Sequence, residues 1–166
     1  NLDITNMFSG CVSLIKANFS NIYTNINTKG TINMNNAFKD CISLNELYFF
    51  DIKVITQTSD GLLHMENMFN NCTSLSTLNF YDINVTSIKT KGYLYINNMF
   101  SNCSSLISVK FIDINITANY YSGYISMNNM FSNCISLNQT NFFDIQINEI
   151  NNGEFYMNNM LNIYYS

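Results

Sequence analysis

The sequence predicts a right-handed, β-rich repeat solenoid of about five coils. Three observations carry this: cysteine, glycine and asparagine recur at one period, the residues after each glycine alternate in polarity, and the chain is apolar without being charged. The cysteines stand at Cys11, Cys41, Cys72, Cys103 and Cys134, in steps of 30, 31, 31 and 31 residues. Gly30, Gly61, Gly92, Gly123 and Gly153 follow them by 19 or 20 positions. The one-residue deletions in the first and fifth repeats therefore fall between cysteine and glycine, which marks that interval as a tolerant loop. The whole chain, 1–166, reads as one domain with repeat units at approximately 1–29, 30–60, 61–91, 92–122 and 123–152 and a partial unit at 153–166.

Counted from the glycine, the unit is G-x-Φ-x-Φ-N-N-M-F-x-x-C-x-S-L-x-x-Φ-x-F-x-D-I, with Φ apolar. Its first part alternates with period two, the pattern of a half-buried strand. The inward positions are Ile32 and Met34, Leu63 and Met65, Leu94 and Ile96, Ile125 and Met127, and Phe155 and Met157. A glycine preceded by Lys29, Asp60, Lys91, Ser122 or Asn152 suits a tight turn of positive φ at the start of each strand. Asn36, Asn67, Asn98, Asn129 and Asn159 then precede an apolar pair. They read either as N-caps of one short helical turn per coil or as an asparagine ladder between coils. After the cysteine come Leu14, Leu44, Leu75, Leu106 and Leu137, then Phe19, Phe49, Phe80, Phe111 and Phe142, which make a second, short strand.

The runs Met68-Phe69 to Cys72 to Ser74-Leu75 and Met130-Phe131 to Cys134 to Ser136-Leu137, with the variant Ala37-Phe38 to Cys41, resemble the M-F-x-x-C-x-S-L repeat of BspA-like leucine-rich repeat surface proteins. The resemblance recurs in register over essentially the whole chain. It implies a leucine-rich-repeat-like solenoid on the outside of a cell, with adhesive or unknown roles and no enzyme activity. These units are longer than the usual repeat of that family, and the excess lies in the loop before glycine, as in Lys53 to Asp60.

Composition excludes several function classes. Hydrophobic residues make up 47% of the chain and charged residues 11%, the opposite of a disordered segment. With a net charge of -4 and only seven scattered lysines, the chain lacks the basic cluster that binding to a phosphate backbone needs, so no nucleic acid is expected as a partner. No membrane span and no signal-peptide pattern is read. The chain opens at Asn1 rather than a methionine, as a mature product or a fragment would. Six N-x-S/T sites occur, close to the five or six that chance gives in so Asn-rich a chain, so they carry no argument.

Chemistry is expected to be sparse. The sole histidine, His64, falls at an outward strand position in one repeat, and no catalytic residue, cofactor or metal is assigned. The five cysteines read as inward rungs of a ladder of free thiols. Asp51, Asp82, Asp113 and Asp144, with Asn21 in the first repeat, form a further column, read as turn formers in preference to calcium ligands.

Two interaction surfaces follow. The outward face of the glycine-led strands carries Leu62, His64, Tyr93, Tyr95, Tyr124 and Tyr156. It is either a contact surface for a host or matrix protein, peptide or glycan, or a Tyr-rich composition reaching the surface. The ends, with Leu2 and Ile4 at one and Tyr164 and Tyr165 at the other, show no charged cap, so head-to-tail association of copies into a filament is expected. The function expected is that of a non-catalytic, extracellular or cell-surface structural or adhesive protein; the alternative is a soluble or cell-surface binding module that recognises a protein, peptide or glycan through the aromatic strand face.

Overall fold

The computed structural model describes residues 1–26, 30–57, 60–87, 91–118, 123–142, 145–149 and 154–161. Among them every regular element is a β-strand, and no helix is long and apolar enough to cross a membrane. Six short strands form one parallel sheet in the order β1 (Leu2–Asp3), β3 (Gly30–Asn33), β5 (Gly61–His64), β7 (Gly92–Tyr95), β9 (Tyr124–Ser126) and β12 (Glu154–Tyr156). The second parallel sheet is built from the long strands β2 (Lys16–Ile26), β4 (Glu46–Thr56), β6 (Thr77–Ser87) and β8 (Ser108–Ala118), with β10 (Gln139–Phe142) and β11 (Ile145–Glu149) both paired to β8. Each strand pairs with the equivalent strand one coil away, as Gly61 with Gly92 and Ile52 with Ile83, so the chain is a parallel β-solenoid with a 31-residue repeat.

The inward columns lie where the alternation places them. Ile32, Met34, Leu63, Met65, Leu94, Ile96, Ile125 and Met127 are buried, and together with the phenylalanine columns from Phe38 to Phe131 and from Phe49 to Phe111, the cysteines from Cys41 to Cys134 and Leu44, Leu75 and Leu106 they make one core. Phe155 and Met157, expected inside, are exposed, because no described residue covers the strand on its far side. Phe38, Phe69, Phe100 and Phe131 stack at 5.5–5.6 Å, and a second phenylalanine column from the long strands meets the first edge-on, as Phe49 meets Phe69 at 88°. Burying one such side chain contributes about 1.5–3 kcal/mol, and no single coil has enough surface to do so alone.

Three local expectations are corrected. The segment expected to form a helical turn is a run of turns, and Asn36, Asn67, Asn98, Asn129 and Asn159 have φ of 51–57°, left-handed values that an N-cap does not adopt. Alternate amides explain this: those of Ala37, Lys39 and Cys41 bond three residues back, whereas those of Asn36, Phe38 and Asp40 donate to Glu66, Met68 and Asn70 of the next coil at 2.9 Å. A helix would keep every amide within its own coil.

The glycines differ too. Gly61 and Gly92 begin strands without positive φ, and a Cβ there would stand 3.1 Å from Val85 and 3.0 Å from Ile116, so close packing against the facing sheet, and not the backbone conformation, is what favours glycine. Finally, the interval from Lys53 is not loop: β4 runs to Thr56, with Val54 and Thr56 buried. Asp51, Asp82 and Asp113, at φ of 51–57°, and Asn21, at 58°, sit at a kink in the long strand that switches the parity of the inward positions, as from Phe49 to Ile52 and from Phe80 to Ile83. Asp144 lies outside the described residues.

Candidate interaction face

The outer side of the short-strand sheet carries three columns of side chains. Strand pairing aligns Leu62, Tyr93, Tyr124 and Glu154 in the first, and His64, Tyr95, Ser126 and Tyr156 in the second. The fifth unit is one residue shorter between cysteine and glycine, so Tyr156 stands in the His64 column and not beside Tyr124. Ser126 breaks that column with a small, buried side chain, and Tyr124 leans across the gap from the neighbouring column. The result is one aromatic ridge: His64 on Tyr95 at 4.8 Å, Tyr95 on Tyr124 at 5.5 Å and Tyr124 on Tyr156 at 4.9 Å, with Tyr93 alongside Tyr95 at 5.9 Å. Leu62 is half-buried next to Tyr93.

Burial, then the neighbouring Tyr93 and Tyr124, hold the Tyr95 phenol above its ordinary value, so it stays neutral at neutral pH. The Tyr156 hydroxyl donates to Glu154 at 2.9 Å, which raises its value as well.

The third column is the polar floor of the ridge: Asn35, Glu66, Asn97, Asn128 and Asn158. The amides of Glu66, Asn128 and Asn158 donate to the side-chain oxygens of Asn35, Asn97 and Asn128 at 2.8–2.9 Å. This is an asparagine ladder, one residue upstream of the Asn36 column to which one reading of the sequence assigned it. The Asn-Asn doublet was the available signal, but it does not say which member turns the chain and which bonds its neighbour. Glu66 replaces one rung and keeps its acceptor role, taking the side-chain amides of Asn97 at 3.1 Å and Asn35 at 3.3 Å. His64 Nδ1 lies 3.6 Å from the same carboxylate. These contacts, that of His64 first, hold the Glu66 carboxyl below its ordinary value.

The cysteine column bonds coil to coil. Cys41, Cys72, Cys103 and Cys134 are buried free thiols whose Sγ atoms donate to the carbonyl oxygens of Phe8, Phe38, Phe69 and Phe100 at 2.9–3.1 Å. Cys11, expected inside, is exposed in the first coil. At that end Leu2 and Ile4 are half-buried against their own core, and the exposed apolar groups are Met7, Val12 and Ile15, which the sequence does not single out. Tyr164 and Tyr165 lie outside the described residues.

No protein-family model, curated protein or solved structure matches the chain.

Proposed function

We propose that this chain is a non-catalytic, extracellular or cell-surface adhesive and structural protein that meets its partner, a protein, peptide or glycan, through the aromatic ridge. The observation that carries the reading is the unbroken contact from His64 through Tyr95 and Tyr124 to Tyr156, across four strands of one sheet. Pre-ordered aromatic side chains offer contact area with little entropy left to lose on binding. The motif resemblance to BspA-like surface proteins supports the same role, and with it a leucine-rich-repeat-like, right-handed coil, the hand that parallel crossovers take. Arrays of matrix proteins and glycans test the reading. The native chain should be retained on at least one feature, and the Tyr95→Ser/Tyr124→Ser double variant should be lost from it while keeping the native β-sheet circular dichroism spectrum and a cooperative melt. Retention by neither, or equally by both, sinks the proposal.

Head-to-tail association has support of its own in the polarity of the coil junction. Each turn segment donates its alternate amides to the next coil, from Ile4 to Asn33 at one junction through Phe131 to Met160 at another. In this segment a coil therefore offers donors on one side and acceptors on the other, a polarity that suits open-ended stacking. The first coil adds an apolar hollow of ≈ 330 Å³ lined by Met7, Phe8, Leu14 and Phe19. Light scattering of the native chain should show concentration-dependent polymers that Met7→Lys/Ile15→Lys abolishes. Monomers at every concentration, or polymers in the double variant, would remove this part of the proposal.

A further inference from the structure

The junction between β4 and β6 is open where the others are closed. Between β2 and β4 the ladder starts at Lys16 with Glu46, and between β6 and β8 at Thr77 with Ser108. Between β4 and β6 it starts only at Phe49 with Phe80, leaving Glu46–Tyr48 and Thr77–Asn79 side by side without pairing. The leading amide bond is missing as well. At the other junctions Glu46 donates to Ile15, Ser108 to Ser76 and Gln139 to Ile107, at 3.2–3.4 Å, and no equivalent bond joins Thr77 to Asn45. A change in the core marks the same place: the phenylalanine column stacks at 7° between Phe19 and Phe49 and at 6° between Phe80 and Phe111, but Phe49 and Phe80 meet at 64°.

The gap is a cleft of ≈ 290 Å³ on the outer side of the long-strand sheet, lined by Asn45, Glu46, Tyr48, Thr77, Asn79 and Tyr81 among others. Tyr48 and Tyr81 are 51% and 38% exposed; Lys16 Nζ stands over the Tyr48 ring at 5.3 Å from its centroid, so the Tyr81 ring and the remaining surface of Tyr48 are what a ligand meets. We propose that this opening in the ladder is a binding site for one neutral saccharide unit.

Four features select that class. The Asn45 carbonyl and the Thr77 amide, released from each other, offer one acceptor and one donor, and the side chains of Asn45, Asn79 and Thr77 add mixed donors and acceptors of the kind that hydroxyl groups satisfy. The two tyrosine rings supply the apolar surface that covers the C–H face of a sugar ring. The cleft carries no unbalanced charge, since the Glu46 carboxylate is held by Lys16 Nζ at 2.7 Å, so neither an anion nor a cation has a counterpart. Size decides against an extended peptide: the ladder closes again at Phe49 and Phe80 after three residues, and the volume falls at the small end of ligand pockets, about 300–1,000 Å³.

The site lies on the opposite sheet from the aromatic ridge, so it stands or falls apart from the adhesive reading. The test is a titration of the 15N-labelled chain with the methyl glycosides of glucose, galactose, mannose, fucose, N-acetylglucosamine and N-acetylgalactosamine. At least one should shift the amides of residues 45–48 and 77–79 saturably. Tyr48→Ala should weaken that binding by about tenfold or more, whereas Tyr95→Ser/Tyr124→Ser should leave it unchanged. Hydrogen exchange tests the opening without ligand, the Thr77 amide exchanging faster than that of Ser108. No response to any of the six sugars, shifts confined to the ridge, indifference to Tyr48→Ala, or a Thr77 amide as protected as Ser108 each overturns the proposal.

Discussion

The thiol of Cys72 lies 3.1 Å from the carbonyl oxygen of Phe38, one coil earlier, and donates its proton to it. The same carbonyl closes a turn by accepting the amide of Cys41 at 3.2 Å, so one oxygen ties its own coil and the next. This gives the cysteine at every repeat a reason that hydrophobic volume alone does not. Burial pushes the Cys41 thiol up to about 11 and those of Cys72 and Cys134 up to about 12.

Thiol reactivity follows. An aromatic disulfide reagent at about pH 8 attacks only exposed thiolates, so the native chain should release one equivalent quickly, from Cys11, and the other four only after denaturation. Fast reaction of a second thiol would break the ladder account. Stability should also fall with alkali. These thiols bind their protons more tightly folded than unfolded, so their contribution is complete below the ordinary value of 9.0 and lost as pH rises towards about 12. Replacing Cys72 by Ala should flatten that decline in melts followed across the range.

Phe100 is fully buried between Phe69 and Phe131, at 5.6 and 5.5 Å, with Phe80 edge-on at 5.7 Å. Phe100→Ala should therefore destabilise by about 3–5 kcal/mol in denaturant unfolding. Phe155→Ala, at a position 45% exposed, should cost less than about 1 kcal/mol. Equal costs would mean that the coils do not share one core.

The solenoid was legible in the sequence because period and alternation follow directly from stacking: each inward residue from Ile32 to Met127 must repeat for the column to exist. Conformation within the turn was not. Asn36 and Asn35 are the same residue type, and only the alternation of amides between two coils decides that one is left-handed and the other a rung. Glycine misled for a similar reason, since a residue favoured for want of a Cβ against Val85 looks the same as one favoured for positive φ. The kink at Asp51 was written in the shift of apolar positions from Leu47 and Phe49 to Ile52 and Val54, a parity change that a search for uninterrupted alternation passes over. The aromatic ridge was legible residue by residue, but not its continuity, which depends on Tyr124 crossing over Ser126.

Glu66 ties the ladder to the ridge, and its protonation should loosen both. Its carboxyl is held below the ordinary value of 4.5 by His64, Asn97 and Asn35. The associated stability is therefore present above that value and lost as pH falls through the lowered one. Melts between about pH 3 and 7 should show an acid loss in the native chain that Glu66→Gln reduces, since a neutral amide keeps an acceptor for Asn97 while losing the titration. An unchanged acid profile in Glu66→Gln would show that other carboxylates carry the effect.

Asn98 separates backbone conformation from side-chain bonding. Its φ of 52° is left-handed, and its amide donates to Asn128 at 2.9 Å in the next coil, a bond that any residue but proline retains. If the recurrent asparagine is there for conformation, glycine should replace it at little cost or with slight gain. Alanine meets the left-handed penalty of about 1–2 kcal/mol, because its Cβ crowds the following carbonyl. Were the side chain instead a rung between coils, both substitutions would remove the same bond and weaken the protein alike. Denaturant melts of Asn98→Gly and Asn98→Ala should thus differ by roughly 1 kcal/mol or more in favour of glycine. Since the same conformation recurs at Asn36, Asn67 and Asn129, the Gly–Ala difference should reappear at each, and parity between the two substitutions at these sites would refute the conformational account.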